Sequence, residues 1–398
     1  MVADVLAEVR LEGDDAVRRF TREFDGCEVE RFLVPPEVVA SAREAASPAL
    51  IDALEAMADR LRETCEHQVI EPWMDRRDDE FVGELVRPLR RVGLYVPGGR
   101  AAYPSSVIMS SVPAQVAGVE GLAVASPPGP DGEVSSAVLA ACAVAGVAEV
   151  YRMGGAQAIA AFAYGTDSVR PVEKIVGPGN VFVTEAKKQV AGWCGIDSEA
   201  GPTEIAIVAD GAADPSFVAA DLIAQAEHGP DGAHVLITWE PGLTEEVIAE
   251  LETQLLSHPR AEEVENALTA GGTAVLVRDL EQALETANAF ASEHLELIFE
   301  GAEEAIGQVQ SAASVFVGPF TPVPVGDYSG TTNHVLPSGG PARWSSGLSV
   351  RDFVKTIYVS GMSQSALERV EPHIAALSDA EGLPGHASSV SLRLEGSS

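Results

Sequence analysis

The chain has 398 residues, with 60 acidic side chains against 26 basic ones and a formal net charge of −34 at pH 7. Clustered Lys and Arg are needed to release counterions from a phosphate backbone or to hold an anionic leaflet, so nucleic acid and membrane surfaces are excluded as expected partners. A hydrophobic share of 46 %, spread along the whole length, excludes a disordered acidic tail and suffices for two domains or more.

In chain order, the first 80 residues predict amphipathic helices at Asp14–Phe24, Pro36–Ala46 and Pro48–Val69, where apolar residues recur at helical spacing between charges. From Val92 onward short β-branched runs alternate with Ala-rich helical stretches. Strands are expected at Gly93–Val96, Gly121–Ala125, Glu149–Met153, Glu204–Ala209, His234–Thr238, Thr273–Val277, Leu295–Phe299 and Ser314–Val317. This alternation predicts an α/β protein with parallel, doubly wound sheets covered by helices on both faces, in two units divided near Thr203. Gly318–Ser346 reads as a long Pro/Gly/Ser loop without an element of its own, and such loops inside compact domains are more often functional than idle. Beyond it, Val350–Val359 and Gln364–Leu383 read as helices and Ser388–Arg393 as a strand-like tail.

Lys174, Lys187, Lys188 and Lys355 are the only lysines; the other basic side chains are arginines. Such a balance, with many carboxylates, resembles halophilic proteins, because the Debye length falls to ~3 Å at 1 M salt and like surface charges then barely repel. An acidic protein from a GC-rich genome reads the same way. No stretch approaches the ~20 apolar residues of a membrane span. Met1-Val2-Ala3-Asp4 lacks the basic and apolar regions of a signal peptide, so a cytoplasmic protein is expected. Cys27, Cys65, Cys142 and Cys194 are far apart with no C-x-x-C pair, which predicts buried or incidental thiols and no disulfide framework.

Asp214 as N-cap, Pro215 at the first helical position and Gly229-Pro230 past the end delimit one helix, placing Gln225 and His228 at i and i+3 on one face of its last turn. An amide oxygen and an imidazole there are able to share a metal if further ligands arrive from elsewhere; a capping or core histidine is the alternative. Ser292-Glu293-His294-Leu295 falls where a helix hands over to a strand, and its Glu and His are two proton acceptors of different basicity. A purely structural pair is again the alternative. Gly326-Asp327-Tyr328-Ser329-Gly330-Thr331-Thr332-Asn333-His334 gathers an acid, hydroxyls, an amide and a histidine with little apolar content to explain them by packing. Glu381 and His386 add a carboxylate and an imidazole near the end of the chain. Gln225, His228, Asp327 and His386 together would make an oxygen- and nitrogen-rich site suited to zinc or a related divalent ion.

Three glycine turns, Val96-Pro97-Gly98-Gly99, Met153-Gly154-Gly155-Ala156-Gln157 and Val176-Gly177-Pro178-Gly179-Asn180, each follow a strand-like run and precede a helix. Backbone N–H groups at such turns suit a phosphate, although tight turns also occur in any α/β protein. None matches G-x-G-x-x-G with an acid ~20 residues on, so the standard dinucleotide fingerprint is absent. Three of the four lysines lie near the last turn, where positive charge would help a cofactor phosphate approach.

As a set, these segments resemble the histidinol dehydrogenase family. The matching stretches run from Gly93-Leu94-Tyr95-Val96-Pro97-Gly98-Gly99 through Gly154–Ala160, Lys174–Asn180, Ala200-Gly201-Pro202-Thr203-Glu204, Gln225–Asp231 and Ser292–Leu295 to Gly326–Pro337, in the family's order and over nearly the whole chain. The resemblance implies two Rossmann-like doubly wound parallel-sheet domains, a helical N-terminal segment and an extended C-terminal arm. Residues 1–94 would join 205–347 as one domain, 95–204 would form a second with the NAD contacts, and 348–398 would be an arm exchanged between subunits. It implies one zinc per subunit held by Gln225, His228, Asp327 and His386, and Glu293 and His294 as the acid/base pair. Thr203, His334 and Glu381 would hold substrate with His294 and the metal ligands, while Tyr95, Gln157 and Asn180 would contact NAD. His386 and Glu381 would act across a homodimer interface. The implied reaction is the last step of histidine biosynthesis, L-histidinol to L-histidine through L-histidinaldehyde, with two hydride transfers to NAD and no thiol nucleophile. Zinc would bind the substrate's imidazole and amino nitrogens; His294 would take the hydroxyl proton and Glu293 would activate water for the second oxidation.

Three departures stand out. Thr203 replaces the family's usual Ser and keeps the hydroxyl, the family's N-terminal extension is expected to be shortened, and Ser198-Glu199 adds charge near the substrate side. The rivals are a paralogous zinc- and NAD-dependent dehydrogenase acting on another polyol or amino alcohol, a zinc hydrolase using Glu293, and a non-catalytic acidic scaffold.

Overall fold

The computed structural model describes residues 1–98, 102–198 and 201–395; Gly99, Glu199 and Ala200 of the motifs above lie outside them. Its strands are β1 (Trp73–Arg76), β2 (Glu80–Pro88), β3 (Arg91–Tyr95), β4 (Gly121–Ser126), β5 (Glu149–Arg152), β6 (Lys174–Val176), β7 (Gly195–Ile196), β8 (Glu204–Ala209), β9 (Ala233–Thr238), β10 (Gly272–Leu276), β11 (His294–Ile298), β12 (Ser314–Val317) and β13 (Val354–Met362). Two compact units result, residues 1–68 with 89–353 and residues 69–88 with 354–398.

The larger unit holds two five-stranded parallel sheets, ordered β5-β4-β3-β6-β7 and β10-β9-β8-β11-β12. Each begins at its central strand, winds outward to one edge, then crosses back to the other side. The switch points are therefore β3/β6 in the first sheet and β8/β11 in the second. Strands buried on both faces need apolar residues at consecutive positions, which is why runs such as Ile205-Ala206-Ile207-Val208-Ala209 are legible without alternation. Successive side chains still leave on opposite faces. Leu94 and Val124 join Ile108, Met109, Leu61 and Val138 in one core, while Tyr95, Ala125 and Ile175 join Val5, Val9, Ile159 and Phe162 in another. In the second sheet Ile205, Ile207 and Phe316 pack under the Pro215–Ala226 and Pro241–Leu255 helices, and Val208, Ile237 and Leu297 under Leu280–Phe290.

The N-terminal helices Val2–Glu12 and Asp14–Phe20 bury Val5, Val9 and Val17 in the core of the first sheet. Pro36–Ala45 and Pro48–Glu66 pack against Ser136–Val144 and Pro104–Val116 of that same half. The packing thus differs from the expected joining of residues 1–94 with 205–347. A link to the second half does exist at Gly330, where φ is +75° and a Cβ would come within 2.4 Å of the Met57 carbonyl, so only glycine fits.

Four local expectations give way to tertiary structure. The segment read as a bare loop contains a helix, Val323–Ser329, and a 3₁₀ turn, Pro341–Arg343. The first N–H of that helix is capped by Glu296 from β11, a partner the local sequence does not reveal. Val350–Val359 becomes a 3₁₀ turn followed by β13, because Val354, Thr356, Ile357 and Val359 fit an antiparallel ladder with β2. The tail read as a strand is a helix, Pro384–Glu395, in which Ser391 and Arg393 return hydrogen bonds to carbonyls four residues back. The helix expected at Asp14–Phe24 changes to π-helical geometry over Thr21–Asp25.

The smaller unit is an antiparallel sheet, β1-β2-β13, with the helices Gln364–Ala380 and Pro384–Glu395 packed on each other. Arg369 pairs with Asp79 at 2.6 Å and holds the first helix to the sheet. Ala366 is the one apolar side chain buried in this unit among the described residues, none of its residues joins a hydrophobic core cluster, and Trp73, Ile357, Tyr358, Leu377 and Leu392 are exposed on it. All four cysteines of the chain are free and buried. Among the described residues no helix is long and apolar enough to cross a membrane.

Candidate active site

A cleft of about 2070 Å³ opens between the two sheets of the larger unit. The first sheet contributes the turns at the carboxyl ends of β3, β4, β5 and β6, represented by Pro97, Pro127, Gly155 and Asn180. The second contributes its amino ends: Thr203 before β8, Gly232 before β9, and Glu293 and His294 where β11 starts. Tyr95, Gln157, Asn180, Thr203, His228, Glu293, His294, Asp327 and His334, nine residues singled out from sequence, line this one cleft.

At the first-sheet end, Tyr95 is buried and its hydroxyl oxygen accepts the Gly155 N–H at 3.1 Å. Gln157 is fully buried; its Nε2 donates to Asp25 at 3.3 Å, while its Oε1 has no partner among the described residues. Asn180 caps the Val181–Val190 helix, its Oδ1 accepting the N–H groups of Phe182 and Val183, both at 3.1 Å. Gly177 sits at φ +117° with its Cβ position 2.1 Å from the Tyr95 carbonyl, so the chain can cross the switch point only as glycine. The lysines do not offer the free charge expected of them. Lys187 is buried in an ion pair with Asp197 and donates to the Gly177 carbonyl at 3.0 Å, and Lys174 pairs with Asp352 at 3.1 Å. They brace the turn and the strand before it.

At the second-sheet end, the backbone of one residue, Glu204, holds both proton-transfer candidates. Glu293 Oε2 accepts the Glu204 N–H at 2.9 Å and the Thr203 hydroxyl at 2.6 Å. His294 Nδ1 lies 3.1 Å from the Glu204 carbonyl. A carbonyl only accepts, so Nδ1 carries the proton and the Nε2 lone pair is left for the cleft. Ala291, in left-handed geometry at φ 58°, ends the Leu280–Phe290 helix and turns the chain into this position. Burial pushes Glu293 up to about 8, against the pull of its Thr203 and Glu204 hydrogen bonds. Burial also lowers His294, partly offset by Asp327.

Gln225 is buried at the end of its helix, with Nε2 donating to Thr203 Oγ1; its amide oxygen is thus the atom left for a cation. The helix ends at Ala226, and the His228 N–H bonds to the Gln225 carbonyl at 3.3 Å, so His228 extends the last turn rather than belonging to it. Its ring opens to the cleft with no hydrogen-bond partner among the described residues, and the surrounding protein and His294 lower its basicity. Asp327 is raised to about 6 by burial, although His294 opposes the shift, and it lies 3.9 Å from His334 Nδ1. Burial, with His294 and His228 nearby, lowers His334 to about 4, and its Nε2 is 3.5 Å from the Ser106 hydroxyl.

Among the described residues no group of three or more His, Cys, Asp and Glu side chains is arranged to hold a metal. The expected set draws only His228 and Asp327 of those types from this unit, with the Gln225 amide beside them. Glu381 and His386 belong to the smaller unit, one at a helix C-cap and one in the last helix, both exposed. The donor chemistry nonetheless fits a divalent cation: imidazoles whose basicity is lowered by burial face a carboxyl that burial raises, a set whose burial cost a cation would offset. The sequence reading missed Glu204, which acts through its backbone and leaves no side-chain signal. It also missed Ser106, which is one of four buried serines in the Pro104–Val116 helix and is not distinguished from the others by sequence.

A family model described as "Histidinol dehydrogenase" matches residues 1–394. The histidinol dehydrogenase of Moorella thermoacetica is 46 % identical over 397 residues, covering 99 % of this chain and 94 % of that protein. That of Methanothermobacter thermautotrophicus is 43 % identical over 394 residues, covering 99 % and 92 %. The crystal structure of histidinol dehydrogenase from Elizabethkingia anophelis matches with a TM-score of 0.94 at 33 % identity, over 99 % of this chain and 92 % of that one. The chain belongs to the histidinol dehydrogenase family.

Proposed function

We propose that the cleft oxidises L-histidinol to L-histidine through L-histidinaldehyde, with two NAD molecules accepting one hydride each, as the last step of histidine biosynthesis in the cytoplasm. The observation that carries this reading is the backbone of Glu204, whose N–H fixes Glu293 and whose carbonyl fixes His294, so that two buried proton acceptors, shifted by burial in opposite directions, stand side by side. His294 Nε2 takes the proton of the substrate alcohol as hydride leaves. Glu293, raised to about 8, acts in its ionised form, which prevails on the alkaline side of that value, and draws a proton from water as that water adds to the aldehyde; His294 takes the proton of the resulting hydrate in the second oxidation. Tyr95, Gln157 and Asn180 bind the cofactor at the other end of the cleft.

Gln225 Oε1, His228 and Asp327 would hold zinc, with the partner subunit's His386 completing the set. When bound, zinc supplies a positive charge that grips the substrate's nitrogens and orients its alcohol. His334 lines the substrate side, and the partner subunit's Glu381 meets the amine. The coreless smaller unit supports the homodimer in this reading, since exposed apolar side chains of that kind need a second copy to cover them. Thr203 serves Glu293 directly, so the family's hydroxyl is kept for orientation of the base.

The test is a stoichiometry. Zinc-loaded protein in high salt, which the acidic halophilic surface calls for, is given limiting L-histidinol and excess NAD, and NADH is counted. Two per histidinol is expected; one would mean that the aldehyde is released, and none would overturn the substrate.

A further inference from the structure

Two carboxyls interrupt the apolar layer between the second sheet and its helices. Glu296 lies on β11 two residues past His294, hence on the same face, and is 1 % exposed. Its register neighbours Ile207 and Phe316 belong to that apolar layer. Glu296 Oε1 accepts the N–H of Val323, the first residue of the Val323–Ser329 helix, at 3.0 Å. Its Oε2 meets no N–H or O–H donor among the described residues, and the carboxyl of Asp221 is hydrogen-bonded to Glu296. Two acids make such a bond only by sharing a proton. Burial raises both, Asp221 to about 6 and Glu296 further, which keeps that proton in place near neutral pH.

The three elements joined here carry the site. Asp221 is one helical turn before Gln225, Glu296 stands beside His294, and Val323 is one turn before Asp327. We propose that Asp221 and Glu296 are positioning residues: their shared proton and the Val323 N–H lock these three elements together and so set the spacing at which Gln225 and Asp327 receive a cation. Well-packed hydrophobic side chains would fill this layer at no loss of stability, so the pair serves geometry more than folding. The inference rests on the metal reading of the site.

Metal-free full-length protein is titrated with Zn²⁺ against a chelating indicator, without substrate or NAD. Glu296→Leu is expected to weaken zinc binding ~10–100-fold, the range for lost outer-shell contacts. Glu296→Gln, whose amide still accepts from Val323 and donates to Asp221, is expected to bind as wild type does. Ile207→Val, a destabilising change in the same layer, is also expected to leave zinc affinity unchanged, which separates positioning from general loosening. Should Glu296→Leu fail to fold, Asp221→Ala against Asp221→Asn makes the same comparison at a less buried position, with only the Ala variant weakened. Wild-type affinity in Glu296→Leu or Asp221→Ala, or equal weakening in the amide variants, overturns the proposal. Wild-type protein that binds no zinc overturns the metal reading and this proposal together, whereas the other outcomes leave the metal reading standing.

Discussion

The two parallel sheets of the larger unit are wound alike yet meet the cleft by opposite edges. The first presents its carboxyl ends, and with them the amino termini of the helices Pro104–Val116, Ser136–Val144, Gly155–Tyr164 and Val181–Val190. Free N–H groups and the positive ends of helix dipoles favour anions, as a dinucleotide's phosphates require. The second presents its amino ends, and there the helices Pro215–Ala226 and Leu280–Phe290 terminate beside Gln225, His228 and Glu293. Carboxyl termini favour cations, so this edge suits a metal and a cationic amine. One topology used in two orientations gives a single cleft two electrostatic ends. It also explains how a chain of net charge −34 accommodates NAD although Lys174 and Lys187 are taken up by Asp352 and Asp197: the backbone provides the positive end.

The comparison can be broken most sharply at the second edge. His294→Asn should suppress oxidation of both alcohol and aldehyde by ~10²–10⁴-fold, the usual worth of a general base, while Glu293→Gln should slow mainly aldehyde oxidation. Equal losses with both substrates in the Glu293 variant would contradict the division of roles. At the first edge, Gly177→Ala forces a methyl onto the Tyr95 carbonyl; a misplacement near 1 Å costs on the order of 10²-fold, and it should appear in the KM for NAD while zinc affinity stays unchanged. A smaller effect is expected at Thr203: the Val variant loses a hydrogen bond to a carboxylate, about 1.5–3 kcal/mol, whereas Ser should retain the rate of the aldehyde step.

The smallest effect is a pH dependence of stability. Asp221 and Glu296 are raised above their unfolded values of 3.8 and 4.5, so the stability they contribute is complete below about pH 4 and is lost as pH rises from there through their folded values, about 6 for Asp221 and higher for Glu296. Denaturant melts of wild type and Glu296→Gln should therefore diverge from about pH 4.5 upward by on the order of 1 kcal/mol, with wild type falling faster. Parallel curves would argue against the shared proton.

What the sequence disclosed follows the range of the interactions concerned. Strands buried on both faces are visible as apolar runs, and the Pro215–Ala226 helix is visible through Asp214 and Pro215, because those signals are local. β13 was hidden because its partner lies more than 260 residues earlier in the chain, at β2. The Val323–Ser329 helix was hidden because its cap comes from another strand. At the site, side-chain chemistry was readable in Glu293, His294 and Asp327, but the backbone of Glu204 that organises them was not. The lysines misled for a related reason: proximity in sequence to a glycine turn says nothing about whether an ammonium group faces ligand or Asp197.

The coreless smaller unit has a consequence for how activity is inherited by mixed oligomers. In the homodimer proposed above, where His386 of this unit completes the partner's site, a site built on one protomer would depend on the genotype of the other. Glu293→Gln and His386→Ala proteins, each inactive in the full reaction, should complement when unfolded together and refolded. A hybrid contains one site with both wild-type groups and one with neither, so two defective alleles would restore a working enzyme.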